Sequence, residues 1–151
     1  MEKMNFKIAT PEKVVFKEDI DSVTLPTTSG EITVLPNHVP LISVLRPGEI
    51  RIQNDGKETV LAVSGGFVEV LSTKVVILAD TAERSDEIDV ARAETAIRRA
   101  EALRNERASD SREFAALTAQ IEKELARVKV GRKMAHRVEM QGAQRSQLEK
   151  E

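Results

Sequence analysis

The stretch Lys74-Val75-Val76-Ile77-Leu78-Ala79-Asp80-Thr81-Ala82-Glu83, followed closely by Ile88-Asp89-Val90-Ala91-Arg92-Ala93, decides the fold, because the hydrophobic spacing changes along it. Up to Leu78 the apolar residues form a run of strand length. From Val90 they recur at steps of three and four, as Val90, Ala93, Ile97, Ala100 and Leu103. A short run of the first kind fits pleated sheet, and a repeat of the second kind draws one apolar stripe along a helix. The chain is therefore read as α+β, with a β domain over residues 1–83 and a helical arm over residues 84–151.

Working back from that junction, strand-like runs recur between turn signals at Asn5 to Ala9, Ile20 to Leu25, Glu31 to Leu35, Glu49 to Gln53, Thr59 to Val63, Phe67 to Leu71 and Lys74 to Leu78. Asn54-Asp55-Gly56 is a strong hairpin signal, since Asp and Gly accept the positive φ angles of a tight turn that matches strand twist. Ser72-Thr73 is a second short connection. Many short strands at this spacing predict a sandwich or flattened barrel. Working forward, Phe114, Leu117, Ile121, Leu125, Val128, Ala135 and Val138 give a second apolar stripe, which predicts an antiparallel hairpin of two helices. Between them Asp110 is placed to cap the second helix while Glu113 reaches back. The alanine-rich seam of the first helix buries little area, so the hairpin is expected to hold weakly and to exchange one partner surface for another. From Gln141 on the stripe is lost and the end is expected to fray.

Chemistry is scarce. Without cysteine there are no disulfides, thiolate metal sites or cysteine nucleophiles, and His38 and His136 are far apart, so no metal site is expected. The seven glycines form neither a phosphate loop nor a dinucleotide fingerprint. Ser64-Gly65-Gly66 lies between strand-like runs and reads as a glycine turn or bulge, not a nucleophile elbow. No catalytic residue is expected. No apolar span is long enough for a bilayer, and Met1 to Phe6 lacks a secretory pattern, so a cytoplasmic-side protein is expected. Leu35-Pro36-Asn37-His38-Val39-Pro40-Leu41 presents Asn37 and His38 on a stiff loop, either as a plain strand connection or as a partner contact.

Charge is uneven in the arm. Lys123, Arg127, Lys129, Arg132, Lys133, Arg137 and Arg145 face only Glu124 and Glu139 over the same span. That run admits a solvated face, an acidic protein partner, or nucleic acid; with four Phe and no Tyr or Trp, base-stacking platforms are lacking and nucleic acid is the weakest of the three.

Leu25-Pro26-Thr27, Ser29-Gly30-Glu31-Ile32, the Leu35 to Leu41 loop, Ala62-Val63-Ser64-Gly65-Gly66-Phe67-Val68-Glu69-Val70 and Ile77 to Glu83 together closely resemble, in order and spacing, the landmarks of the ATP synthase epsilon subunit family. Ile88-Asp89-Val90-Ala91-Arg92-Ala93 resembles a helix-start motif of bacterial members, while Thr33-Val34 departs from the Gly-Ile common after Gly-Glu-Ile. The resemblance implies a non-catalytic central-stalk subunit, peripheral on the cytoplasmic face of the cell membrane. Its β-sandwich would dock on the gamma subunit and the c-ring, coupling the rotor to the catalytic head during proton-driven ATP synthesis. Its hairpin would either lie on the sandwich or extend toward the alpha and beta subunits and inhibit ATP hydrolysis. For the c-ring it implies Glu31, Asn37 and His38, with Glu31 also readable as a solvated turn carboxylate; for the catalytic head it implies Arg127, Arg132, Lys133 and Arg137. It implies no required cofactor, but a regulatory, non-catalytic ATP near Glu83, Ile88, Asp89, Arg92, Ala93, Arg99 and Arg127. Asp89 also reads as a plain helix cap paired with Arg92. A second function class remains open: a free-standing sandwich adaptor that binds an acidic protein through the basic hairpin.

Overall fold

The structure, a computed structural model, describes residues 2–150. Strands β1 (Met4–Ala9), β2 (Val14–Ile20), β3 (Ser22–Thr27), β4 (Gly30–Val34), β5 (Leu41–Leu45), β6 (Gly48–Asn54), β7 (Lys57–Val63), β8 (Gly66–Val70), β9 (Lys74–Ala79) and β10 (Ala82–Arg84) precede α1 (Val90–Glu106) and α2 (Ser111–Leu148). Strand order runs β10-β7-β6-β3-β5-β8-β9-β1-β2, with β4 on β3. Neighbours are antiparallel except β1 and β9, which run parallel. The contact between β3 and β5 is a single residue pair, Thr27 with Leu45, so the ladder turns a corner there and folds into the two halves of a sandwich. Between the halves lies one apolar core that includes Phe6, Ile8, Ile20, Leu25, Ile50, Ile52, Leu61, Val63 and Ile77. Phe6 and Phe16 meet edge to face with ring centroids 5.8 Å apart.

The expected turns form for the expected reasons. Asp55 and Gly56 have φ of 50° and 76° between the paired residues Asn54 and Lys57, and Ser72-Thr73 is closed by the Leu71 amide donating to the Lys74 carbonyl. Three strands escape the sequence reading. In β2, Lys17-Glu18-Asp19 interrupts the apolar alternation; the expected run Ile20 to Leu25 is in fact broken at Asp21, whose amide donates to the Gln53 carbonyl. β5 is apolar on both faces, Leu45 inward and Ile42 and Val44 outward, so it shows no period. β10 is too short to show one.

Gly65 and Gly66, at φ of 126° and 136°, form a crossing that no side chain fits: a Cβ on Gly66 would lie 2.1 Å from the Leu78 carbonyl oxygen. Beside it Thr81 Oγ1 donates to Ser64 Oγ at 2.7 Å, which ties that serine to the sandwich. In the hairpin, Asp110 caps α2 through the amides of Arg112 and Glu113, but Glu113 does not reach back; its carboxylate takes Arg107 at 2.9 Å. The seam uses Ala93 and Ala100 of α1, as expected, against Ile121, Val128 and Gly131 of α2. Leu125 is 51% exposed where burial was expected, with Glu124 buried in its place, and Leu103, Phe114 and Val138 of the expected stripes are exposed as well. The expected fraying after Gln141 is also corrected, because α2 runs to Leu148. That end has no proline and a single glycine, Gly142, so the preferences of Gln, Ala and Arg for helix suffice without a packed face.

Two outcomes follow. Gly66→Ala is expected to destabilise the β domain by about 2–4 kcal/mol, from overpacking and a strained φ together, read as a lower thermal midpoint. A chain ending after Ser85 keeps β10 and is expected to give a β-type circular dichroism spectrum and cooperative melting; a disordered spectrum would show that the arm is needed for the sandwich to fold.

Candidate functional site

The helical arm lies on the sandwich. Because Ile50 and Ile52 of β6 point into the core, Glu49 and Arg51 must point outward, and likewise Val60 and Ala62 of β7 point away from Leu61 and Val63. These outward residues are what α2 covers. Val130, fully buried, sits with Val60 and Ala62 in a second small core that Ile88 also joins. α1 packs on α2 and makes little contact with the sheet.

Around that apolar spot the basic residues of α2 meet carboxylates of the sandwich. Arg127 donates through Nε and Nη2 to the two oxygens of Glu83 at 2.6 and 3.3 Å, and through Nη1 to Glu124 at 2.8 Å. Lys133 Nζ donates to Glu49 Oε1 at 2.7 Å. Arg137 Nη2 donates to Glu58 Oε1 at 2.7 Å. Arg132 pairs with Glu94 of α1. Four of the run's cations, Arg127, Arg132, Lys133 and Arg137, are thus paired within the chain in this arrangement, while Lys129 and Arg145 stay exposed.

Glu49 is the buried member of this ladder, its side chain only 4% exposed. Burial raises its carboxyl pKa, but Lys133 and Arg51, with Lys129 nearby, more than offset it and hold the group below the usual glutamate value. A carboxyl depressed in the docked state adds stability that is present in full above the free value of about 4.3 and is lost as pH falls through the depressed one.

The remaining sequence candidates are placed as follows. Asp89 caps α1 by accepting from the Arg92 amide at 3.0 Å, so its partner is the backbone of Arg92 and not its guanidinium. Ala93 is fully buried, Ile88 is half-buried, and Arg92 and Arg99 are exposed on α1. Of the residues implied for ATP, the structure joins Glu83 to Arg127 directly. Glu31 lies at the start of β4, where its carboxylate is 56% exposed and pairs with Arg51 at 2.8 Å. Asn37 has φ of 65° and donates from Nδ2 to Glu2 at 2.7 Å. His38 Nδ1 lies 2.7 Å from the Val39 carbonyl oxygen.

Sequence reasoning missed two features. One is the carboxylate set Glu49 and Glu58, whose signal was their polar position on strands opposite a basic helix. The other is an apolar outer face on β5, β8 and β9, where Ile42 is 75%, Phe67 58% and Leu78 60% exposed around a depression of about 300 Å³. Its signal was Ile42 and Val44, apolar residues alternating with Leu41 and Leu45 on the opposite face of β5. Among the described residues no His, Cys, Asp and Glu group is set to hold a metal.

Lys133→Gln is expected to lower the stability of the full chain by about 1 kcal/mol at neutral pH, since Lys133 itself is partly solvated. The difference from the unmutated chain should shrink as pH falls below about 4; a gap of constant size down to pH 3 in thermal denaturation would place the Lys133 effect elsewhere than on Glu49.

Comparison with known proteins bears on both the sandwich and the helical part. Residues 3–85 match the family described as ATP synthase, Delta/Epsilon chain, beta-sandwich domain, and residues 86–131 match its long alpha-helix domain. The ATP synthase epsilon chain of Desulforamulus reducens is 52% identical over 103 residues, covering 68% of this chain and 78% of that one. That of Dehalococcoides mccartyi is 41% identical over 133 residues, covering 88% and 95%. Among solved structures, a chain of the Euglena gracilis mitochondrial ATP synthase assembly of OSCP, F1 and c-ring shares the fold, with a TM-score of 0.74 at 22% identity over 83% of this chain and 79% of that one. With both of its parts matched in order, the chain belongs to the ATP synthase delta/epsilon family and is an epsilon chain.

Proposed function

We propose that the chain is a non-catalytic regulator and coupler in the central stalk, with its sandwich seated on the gamma subunit and c-ring and its arm restraining ATP hydrolysis by reaching the alpha and beta subunits. The observation that carries this reading is the docked face of α2. It holds one small apolar spot ringed by Arg127, Lys133 and Arg137, each against a carboxylate. A helix held mainly by partly solvated ion pairs leaves its sandwich at modest cost, and the face it then exposes is complementary to an acidic surface. The outer face around Ile42, Phe67 and Leu78 suits an apolar partner, for which gamma is the family's candidate. In the complex the chain sits peripherally on the cytoplasmic face of the membrane, held through its partner subunits; no helix among the described residues is long and apolar enough to cross a membrane.

Within the same reading, ATP is a regulatory ligand of the closed hairpin. Arg92 and Arg99 stand two turns apart on one face of α1 and offer forked donors to phosphates, while Asp89 lies at the start of that helix.

Deleting residues 111–151 is expected to raise steady-state ATP hydrolysis by the assembled complex several-fold while proton pumping in sealed vesicles persists. An unchanged rate across a wide range of ATP would remove the inhibitory role, and loss of pumping would mean the arm is required for coupling. For the nucleotide, calorimetry on the isolated chain is expected to give binding that Arg92→Ala weakens about tenfold, in line with loss of one charge-assisted contact of about 1.4 kcal/mol. Absence of heat and of thermal stabilisation at millimolar ATP would rule the ligand out.

A further inference from the structure

Arg51 stands between two carboxylates that belong to different parts of the molecule. Its Nη2 donates to Glu31 Oε1 at 2.8 Å, at the turn edge of β4, and its Nη1 donates to Glu49 Oε1 at 2.7 Å, beneath the arm. The same Glu49 oxygen also accepts from Lys133 of α2 at 2.7 Å. Its other oxygen, Oε2, is buried with no partner. Four residues thus form an unbroken line, Glu31, Arg51, Glu49 and Lys133, from an exposed edge of the sandwich to the docked helix. Arg51 is split between two carboxylates, although its forked guanidinium is shaped to grip one carboxylate with both nitrogens.

We propose that this line is a charge relay in which whatever engages or neutralises Glu31 frees Arg51 to close on both oxygens of Glu49, and so weakens the hold of Glu49 on Lys133 and the arm. The vacant Oε2 is the place the released Nη2 takes. With Arg51 bidentate, the Glu49 charge is compensated within β6, and Lys133 adds less by remaining docked. Each end of the line is part of a different surface, and both act on one two-position element, the docked or released arm, which makes the coupling thermodynamic and reciprocal. Glu31 is 56% exposed, so its pull on Arg51 is screened and the effect is modest. The relay is a property of the isolated chain and stands or falls independently of inhibition in the assembled complex. The chemistry that works it is a cationic side chain presented at the Gly30–Glu31 edge.

The chain has no cysteine, so a pair of spin labels introduced by Lys17→Cys on exposed β2 and Gln120→Cys on exposed α2 reports arm position without background. Interspin distance distributions of the full chain are expected to show the ratio of released to docked arm rising roughly fivefold in Lys133→Gln and roughly two- to threefold in Glu31→Gln, the scale of solvated ion pairs. On an Arg51→Gln background, Glu31→Gln is expected to change nothing. Should Arg51→Gln release the arm outright, Arg51→Lys serves as the background, since a lysine keeps the charge but cannot fork, and Glu31→Gln must again lose its effect. No response to Glu31→Gln with Arg51 present, or an equal response on the Arg51→Gln or Arg51→Lys background, overturns the relay.

Discussion

Glu49 points away from the sandwich core on β6 and would be solvated if the β domain stood alone. The arm takes that solvation away and supplies Lys133 in its place. A carboxylate so covered is tolerable only while its cations stay, because burial without compensation is far more costly than the pair is favourable. Glu49 therefore ties the position of α2 to the local charge state. Loss of Lys133 or Arg51 would leave that buried carboxylate with less compensation.

The two cores differ greatly in weight. The sandwich interior contains fully buried side chains from β1, β2, β3, β4, β6, β7, β8 and β9, including Phe6, Ile20 and Leu61. The arm is joined to it by Val130 on Val60 and Ala62, with Ile88 at the side. Burying one valine contributes about 1.5–3 kcal/mol, and each exposed ion pair about 0–1. Docking is then worth a few kcal/mol, well within reach of a binding partner, while the sandwich stays folded throughout. Such a division suits a subunit that keeps one surface fixed and moves another.

Much of this was legible in the sequence. The change of period near Glu83, the Asp55-Gly56 turn and the Gly65-Gly66 crossing each follow from local chemistry, and local chemistry is what one sequence displays. β2 and β5 were not legible, because an edge strand carrying Lys17, Glu18 and Asp19 and a strand apolar on both faces lack the alternation that identifies sheet. Nor was the destination of the basic run. Charge spacing on α2 shows that one face is cationic, but its partners Glu49, Glu58 and Glu83 are brought together only by the β6–β7–β10 ladder. Leu125 and Glu124 make the same point. Arg127, committed to Glu83, draws Glu124 inward by its third nitrogen and leaves the leucine outside.

These contacts mark where the chain passes from sandwich to arm. β10 is held to β7 by three register pairs, the last joining Arg84 to Leu61, so the chain through Arg84 belongs to the sandwich. Ile88 belongs to the arm, since its Cγ2 would lie 3.2 Å from a Cβ on Gly131, and Val90 Cγ2 would lie only 2.5 Å from it. Gly131 is thus the point where the start of α1 meets α2, and a larger residue there would force apart the hairpin. Between Arg84 and Ile88 lies a single 3-10 turn, Ser85–Glu87, with no buried residue and no side-chain cap. Rotation there would lift Ile88 and Val130 from the sheet together and break the Glu83–Arg127 pair across the turn, while leaving the α1–α2 seam intact. On these contacts, release of the hairpin as a unit would cost less than its separation into two helices, which must also disrupt the Ala93, Ala100 and Gly131 packing.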